Sequence, residues 1–282
     1  MKKNAILIGL GLLIVLLFVG NAARTPYFRL VFVDRLSENL NDYYLQLTMP
    51  RTVDERIVIL DIDEKSLKEE GRWPWGRDRM ALLLDKLFDK YGIAVVGFDI
   101  VFAERDDSSG LRVLQQLAQN QLRDVKQFQT VLTQIQPQLE YDNLFASKIR
   151  GRKVVLGYYL TDQKDKRVSG MLPEPSFQAG SFKGRPIGFT TWNGYGANLP
   201  EFQQAAASAG HFNPKVDFDG MVRRVPMLAE YDGAYYEPLS LAVVRTLLGQ
   251  TELIPGFVEG KSGGYAGLEW LELRTVNGSL KI

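Results

Sequence analysis

Residues 56–99 constrain the fold of this chain most, because they form a pattern of strand, loop, helix and strand. The apolar runs 57–60 and 93–96 are rich in β-branched residues, which is typical of buried parallel strands. Between them, residues 80–88 carry apolar side chains at helical spacing, and Asp78 is suited to cap the start of that helix. This order of elements predicts a right-handed crossover, in which the two strands run parallel.

Carboxylates follow both predicted strands. Asp61 and Asp63 end the first strand, Asp99 ends the second, and Glu104 comes shortly after it. The carboxyl ends of parallel strands share one edge of a sheet, and ligands of such sheets bind there. The loop 71–77 leaves from the same edge and carries two of the four tryptophans. We therefore predict one ligand-binding concavity, lined by Asp61, Asp63, Trp73, Trp75, Arg77, Asp99 and Glu104.

Each part of this predicted site also has a structural interpretation. The carboxylates could contact a ligand or a hard cation, or they could cap helices and pair with neighbouring arginines. The two tryptophans could form a pocket wall, or they could belong to a stiff loop folded onto the core. No nucleophile or general base accompanies the acids, so we predict no catalytic role. We assign no metal ligands.

Composition excludes several classes of protein. The 282 residues contain no cysteine, which excludes disulfides, thiol nucleophiles and cysteine metal sites. The single histidine, His211, excludes a multi-histidine metal centre within one chain and is interpreted as structural rather than pH-sensing. A net charge of +1 gives no indication of a nucleic-acid partner. No cofactor is predicted.

The N-terminus predicts a membrane anchor. Two lysines precede an apolar run over residues 5–20 that continues to residue 23, and a spanning helix needs about 20 residues. We therefore predict a cytoplasmic tip and transmembrane helix in residues 1–24 and one extracytoplasmic domain in residues 25–282. The alternative is a cleavable signal peptide.

The remaining patterns predict an α/β domain with a mixed sheet, parallel early in the chain and antiparallel late. Residues 36–47 predict an amphipathic helix, residues 108–150 an insertion-like helical stretch, and residues 153–160 a third core strand. Asp219-Gly220 predicts a hairpin, in which the flanking acids could pair with Arg223 or Arg224, and a last hairpin is expected near the end of the chain.

Several sequence blocks together resemble one known family. They are residues 56–66, Gly71-Arg-Trp-Pro-Trp-Gly-Arg77, residues 97–104, Gly210-His-Phe-Asn213 and residues 217–226. With these blocks in this order, the chain resembles the CHASE-type extracellular sensor domains of the second class (CHASE-two) over about residues 25–280. The Trp-Pro-Trp block is the most specific part of the resemblance.

The resemblance implies a non-catalytic sensor of a bacterial transmembrane receptor. Such a sensor lies in the periplasm, is anchored in the inner membrane, binds an extracellular ligand still to be identified and works as a homodimer. Further membrane helices then lead to a cytoplasmic output, most commonly a nucleotide cyclase or a kinase. The chain reaches Ile282 before any such helices, so we expect a fragment of a longer receptor rather than an orphan sensor.

Two other functions fit the sequence pattern. One is a membrane-anchored or secreted α/β enzyme that uses the acidic sheet edge, although the chain has no Gly-x-Ser-x-Gly elbow. The other is an anchored scaffold or interaction module of the cell envelope.

The predicted topology can be tested with fusions. The two N-terminal lysines favour a cytoplasmic N-terminus, so a phosphatase that folds only outside the cytoplasm should be active when fused after Leu160. The same enzyme fused after Lys3 is the control and should be inactive. A stable but inactive Leu160 fusion would contradict the topology, and release of the mature domain into the periplasm would favour the signal peptide.

Overall fold

A computed structural model describes residues 2–22, 31–185, 187–217, 219–249, 251–257, 267–275 and 278–282, with the side chains of the first helix described for residues 8–20. The chain divides into two compact units, residues 1–62 and residues 63–282. Each unit is described by itself.

The helices, in chain order, are α1 (Lys2–Ala22), α2 (Val31–Thr48), α3 (Glu64–Glu70), α4 (Arg77–Asp85), α5 (Leu111–Gln119), α6 (Lys126–Leu139), α7 (Tyr141–Ile149), α8 (Pro200–Ala205) and α9 (Leu239–Leu247). A π-helical turn, Lys86–Lys90, continues α4.

The strands are β1 (Val96–Phe98), β2 (Val154–Thr161), β3 (Val168–Ser169), β4 (Thr190–Trp192), β5 (Gly194–Gly196), β6 (Ser208–His211), β7 (Lys215–Val216), β8 (Val222–Arg224), β9 (Ala229–Tyr231), β10 (Ala234–Tyr236), β11 (Glu252–Phe257), β12 (Leu268–Thr275) and β13 (Gly278–Lys281).

The first unit contains α1 and α2. The helix predicted over residues 36–47 is confirmed as part of α2, which has no buried residue in the described structure. Among the described residues, no helix is long and apolar enough to cross a membrane. Residues 23 and 24, where the anchor is predicted to end, lie outside the described residues.

The strand predicted over residues 57–60 is wrong. This segment has no regular secondary structure, and its side chains are 60–89% exposed. It follows a turn in which the Asp54 carboxylate accepts hydrogen bonds from the backbone N–H and guanidinium of Arg56. A β-branched run indicates a preference for a pleated environment, but a strand also needs a neighbour for its backbone groups. No strand in the described structure pairs with this segment.

The parallel core of the second unit lies further along the chain. Strand β2 pairs in parallel with β1 on one side and with β6 on the other, so the predicted strand 153–160 is confirmed. Strand β5 pairs antiparallel with the end of β2, and β3 pairs with β5, which makes the sheet mixed as predicted. The predicted strand 93–96 overlaps β1 only at Val96, because the ladder begins where Val96 faces Val154.

The main core is aromatic. Phe98, Phe102, Phe145 and Phe202 pack edge to face, with ring centroids 5.1–6.2 Å apart. Phe145 belongs to α7, so the last part of the helical stretch 108–150 lies in the core of the crossover between β1 and β2. Edge-to-face pairs add about 0.5–1.5 kcal/mol each beyond the area they bury.

Three smaller sheets lie later in the chain. Strand β9 lies between β10 and β4, β12 lies between β11 and β13, and β7 pairs with β8. The β7–β8 turn contains Asp219 and Gly220, which confirms the first hairpin, and Arg223 pairs with Asp219 at 2.8 Å. The last hairpin is confirmed as β12 and β13, although Asn277 in its turn lies outside the described residues.

Two buried asparagines hold β2 to its surroundings. Asn198 accepts a hydrogen bond from the Phe102 backbone N–H at 2.8 Å and donates to the Gly157 carbonyl at 2.9 Å. Asn213 accepts from the Leu160 N–H and donates to the Leu160 carbonyl, both at 2.7 Å. Each amide satisfies one backbone donor and one acceptor that no water can reach.

Replacing Asn198 tests this role. We expect Asn198→Leu to lower the free energy of unfolding by about 2–4 kcal/mol, because it leaves a buried N–H and a buried carbonyl unpaired. Urea denaturation of the full chain in detergent measures the loss. The control, Asn143→Leu, changes an exposed asparagine whose side chain bonds, among the described residues, only to Glu140, and it should stay within about 0.5 kcal/mol of the wild type. Equal losses in the two variants would contradict the proposed role.

Candidate functional site

The tryptophan loop, residues 71–77, folds onto the main core. Trp73 and Trp75 are half-buried against this core, and their ring centroids are 5.7 Å apart. The indole N–H of Trp75 donates to the Gly71 carbonyl at 2.9 Å, which closes the loop on itself. The structural interpretation of these tryptophans therefore has direct support.

Arg77 fixes the end of this loop. Its guanidinium lies 4.7 Å from the centroid of the Phe102 ring and donates to the Glu104 carbonyl at 3.3 Å. Its Nε is 3.8 Å from a carboxylate oxygen of Asp142. The Asp106 carboxylate accepts from the Arg77 backbone N–H and so caps α4 from outside the helix. Asp78, the predicted cap, does not fill this role.

The charges around Arg77 are structural in character. Burial lowers the pKa of Arg77, and burial also raises the pKa of Asp142. Burial works against ionisation of Asp106, but hydrogen bonds from Ser108 and Arg77 outweigh it and lower the pKa of Asp106. One buried cation thus balances two carboxylates that hold backbone groups in place.

The predicted acids have separate surroundings. Asp63 is the N-cap of α3: it accepts hydrogen bonds from the Ser66 N–H at 2.8 Å and the Ser66 hydroxyl at 2.6 Å, which lower the pKa of Asp63. Asp99 and Glu104 are exposed. Asp61 belongs to the first unit, so its convergence with Asp99 stays a prediction.

Contacts within the predicted set join Trp73 to Trp75 and Arg77 to the backbone carbonyl of Glu104. Trp73 also lines an open groove of about 740 Å³, together with Glu64, Leu67, Lys68 and Arg72. In the described part of the chain, no cluster of His, Cys, Asp or Glu side chains is suited to hold a metal ion.

A more enclosed cavity, of about 430 Å³, lies elsewhere in the second unit. It is bordered by residues 171–176, by residues 203 and 206–208 at the end of α8 and the start of β6, and by residues 237, 245 and 246 at α9. No sequence motif indicated this cavity, because its lining comes from three separate stretches of the chain.

An ion pair between Arg245 and the buried Glu237 lines this cavity. Arg245 donates to Glu237 Oε1 at 2.5 Å and to the Thr251 carbonyl at 2.9 Å. Glu237 Oε2, Gln203 Oε1 and Thr246 Oγ1 are buried and have no hydrogen-bond partner among the described residues. Burial raises the pKa of Glu237 even though Arg245 acts in the opposite direction.

His211 lies close to the backbone of this site. It ends β6, is fully buried, and its backbone N–H donates to the Glu237 carbonyl at 3.0 Å. Neither ring nitrogen has a hydrogen-bond partner among the described residues, and the ring packs against Tyr158. Burial lowers the pKa of His211 to about 4.

Comparison with known families identifies the class of protein. The family model of the CHASE2 domain matches residues 10–279, so the chain belongs to this family. It is the same family, CHASE-two, that the sequence blocks resemble. CHASE2 domains are non-catalytic extracellular sensor domains of membrane receptors. No curated protein and no solved structure matches the chain.

The buried histidine predicts acid destabilisation. The folded-state pKa of about 4 lies below the unfolded value of about 6.5, so the unfolded chain binds the proton first. The contribution of His211 to the free energy of unfolding is therefore nearly complete above pH 6.5 and falls by about 3 kcal/mol as the pH drops to 4.

His211→Leu removes this proton without breaking a described hydrogen bond of the ring. We expect the difference in free energy of unfolding between wild type and variant to change by about 3 kcal/mol between pH 7 and pH 4. Urea denaturation at both pH values measures it. Parallel pH profiles for the two proteins would contradict a lowered histidine pKa.

Proposed function

We infer that this chain is the sensing part of a bacterial receptor, anchored in the inner membrane by its N-terminal helix with the second unit in the periplasm. The observation that carries this proposal is the CHASE2 match over residues 10–279, which begins within the apolar N-terminal run and ends within the second strand of the last hairpin. The expected output is a cytoplasmic module outside this chain, most simply a nucleotide cyclase.

The apolar N-terminal run supports the anchor. The described residues 8–20 of α1 are apolar throughout, apart from the small Gly9, Gly11 and Gly20. Lys2 and Lys3 precede them, and basic residues favour the cytoplasmic side of a membrane.

Two regions support ligand sensing. A ligand-binding role for Asp61, Asp63, Trp73, Trp75, Arg77, Asp99 and Glu104 remains a proposal, and the groove beside Trp73 is the part of that region with room for a ligand. The enclosed cavity at Glu237 is the second region. Three side chains of its lining, Glu237, Gln203 and Thr246, each have a buried polar atom without a hydrogen-bond partner among the described residues, and a ligand or water would satisfy such atoms.

Helix α2 supports a homodimer. Leu36, Leu40, Tyr43, Tyr44 and Leu47 recur at helical spacing and are 48–67% exposed. An apolar stripe on a helix is normally covered in the working protein. We therefore propose that two copies of the chain meet along this face of α2 and that the signal reaches the membrane through it.

Cysteine crosslinking tests both the dimer face and signal transfer through α2. The chain has no native cysteine, so every disulfide within this part of the receptor must come from the introduced residue. In the parent receptor, Tyr43→Cys should form a disulfide-linked dimer in membranes on mild oxidation. Crosslinking should also change cyclic nucleotide production, and reductant should reverse the change.

Leu45→Cys is the matched control, because Leu45 is exposed on the opposite side of α2. It should crosslink much less. Equal crosslinking at the two positions, or none at either, would contradict the dimer face. A crosslink that leaves the output unchanged would contradict signal transfer through α2.

A further inference from the structure

Two side chains that line the cavity at Glu237 each have a buried acceptor oxygen without a donor among the described residues. Arg245 donates hydrogen bonds to Glu237 Oε1 and the Thr251 carbonyl, while Glu237 Oε2 and Gln203 Oε1 lack hydrogen-bond partners among the described residues. Each buried acceptor left without a donor costs about 1–3 kcal/mol, and more for a charged group. A ligand that brings N–H donors would recover this cost.

The charges of the lining favour a cation. Glu237 and Glu174 contribute two carboxylates, and Arg245 contributes one guanidinium, which is paired with Glu237. The raised pKa of Glu237 shows that burial leaves its ionised form short of favourable contacts. A second positive group near Oε2 would stabilise that form.

The different burial of the two acids and the apolar part of the lining suggest the kind of ligand. Glu237 is 5% exposed, whereas Glu174 is an exposed residue of the same lining. Apolar side chains, including Leu172, Pro173 and Pro175, contribute to the wall. Methylene groups suit such a wall, and a volume of about 430 Å³ lies in the range of small-molecule sites.

We propose that this cavity binds a small aliphatic diamine, with one ammonium donating to Glu237 Oε2 and Gln203 Oε1 and the other facing Glu174. Both acceptor atoms are buried, although their side chains line the cavity, so binding requires the Gln203 and Glu237 side chains to rotate toward the ligand. This assignment rests on the proposed sensing function, for which it names the class of ligand.

The first test is thermal unfolding of the full chain in detergent with putrescine as the probe. At about 100 times its dissociation constant, putrescine should raise Tm by roughly 5–10 °C. Butylamine, which lacks the second ammonium, should bind more weakly, and succinate, ribitol and Mg²⁺ should have no effect. A rise in Tm with succinate, ribitol or Mg²⁺ and none with putrescine would overturn the ligand class.

Variants then locate the binding site. Glu174→Gln should weaken putrescine binding about 2- to 5-fold without changing butylamine binding, because it removes one exposed charge contact. Glu252→Gln is the matched control: it removes an exposed carboxylate on β11 that pairs with Arg274 outside the cavity lining. It should leave putrescine binding unchanged.

Glu237→Gln should weaken binding roughly 10- to 100-fold. Because this variant also disturbs the Arg245 pair, Ala206→Phe provides a second route: it fills the cavity and should abolish binding while the ion pair remains. Wild-type affinity in folded Ala206→Phe would place the diamine elsewhere and overturn the proposal.

The outcomes separate this inference from the proposed function. Failure of every amine to bind the folded chain overturns the diamine assignment alone. The α2 crosslinking experiment does not depend on a ligand, so its failure counts against the proposed dimer face and signal transfer through α2 instead.

Discussion

Strand β2 is the constraint on which the rest of the second unit depends. It is paired along both edges, and residues 154–158 are fully buried. Every polar group of its backbone must therefore find a partner within the protein. Neighbouring strands supply most of these partners, and Asn198 and Asn213 supply others where the sheet changes from parallel to antiparallel pairing. The loops that carry these asparagines are consequently fixed to the sheet.

Both buried charge clusters of this unit contain side-chain atoms without a hydrogen-bond partner among the described residues: Arg77 Nε and Asp142 Oδ1 in one, and Glu237 Oε2 in the other. Around Arg77, an aromatic face, a backbone carbonyl and two carboxylates surround one cation, and both acids also accept backbone N–H groups. Around Glu237, one carboxylate oxygen is paired and the other has no partner among the described residues. Removing one partner of a buried pair is costly. Glu237 and Arg245 line the cavity, whereas Arg77 and Asp142 do not, and this is what makes the Glu237 cluster the candidate sensing site.

The cavity is connected to the sheet through the backbone. The Glu237 carbonyl accepts from the N–H of His211 at the end of β6, and Gly210 allows the start of α9 to approach closely. A Cβ atom on Gly210 would lie only 2.5 Å from the backbone nitrogen of Leu239. Movement of Glu237 on ligand binding would therefore act on β6, which pairs directly with β2. This connection gives the proposed sensor a physical route from the cavity to its central sheet.

The sequence by itself determined the family, the mixed α/β class, the strand 153–160, the amphipathic helix and both hairpins, because each depends on local periodicity, turn residues or a specific motif. It also correctly indicated that acids of the 217–219 turn pair with Arg223. Tertiary structure decided the rest. Residues 57–60 have the composition of a strand, but a strand also needs a neighbour that pairs with its backbone N–H and carbonyl groups. No strand pairs with these residues in the described structure. Helix α4 is capped by Asp106 rather than by Asp78, and Arg77 is buried in the core beside Asp142. Asp106 and Asp142 lie 29 and 65 residues from Arg77 in the sequence, so these contacts leave no local pattern. The cavity at Glu237 could not be predicted from the sequence for the same reason, because burial and the pairing of charges depend on which distant segments the fold brings together.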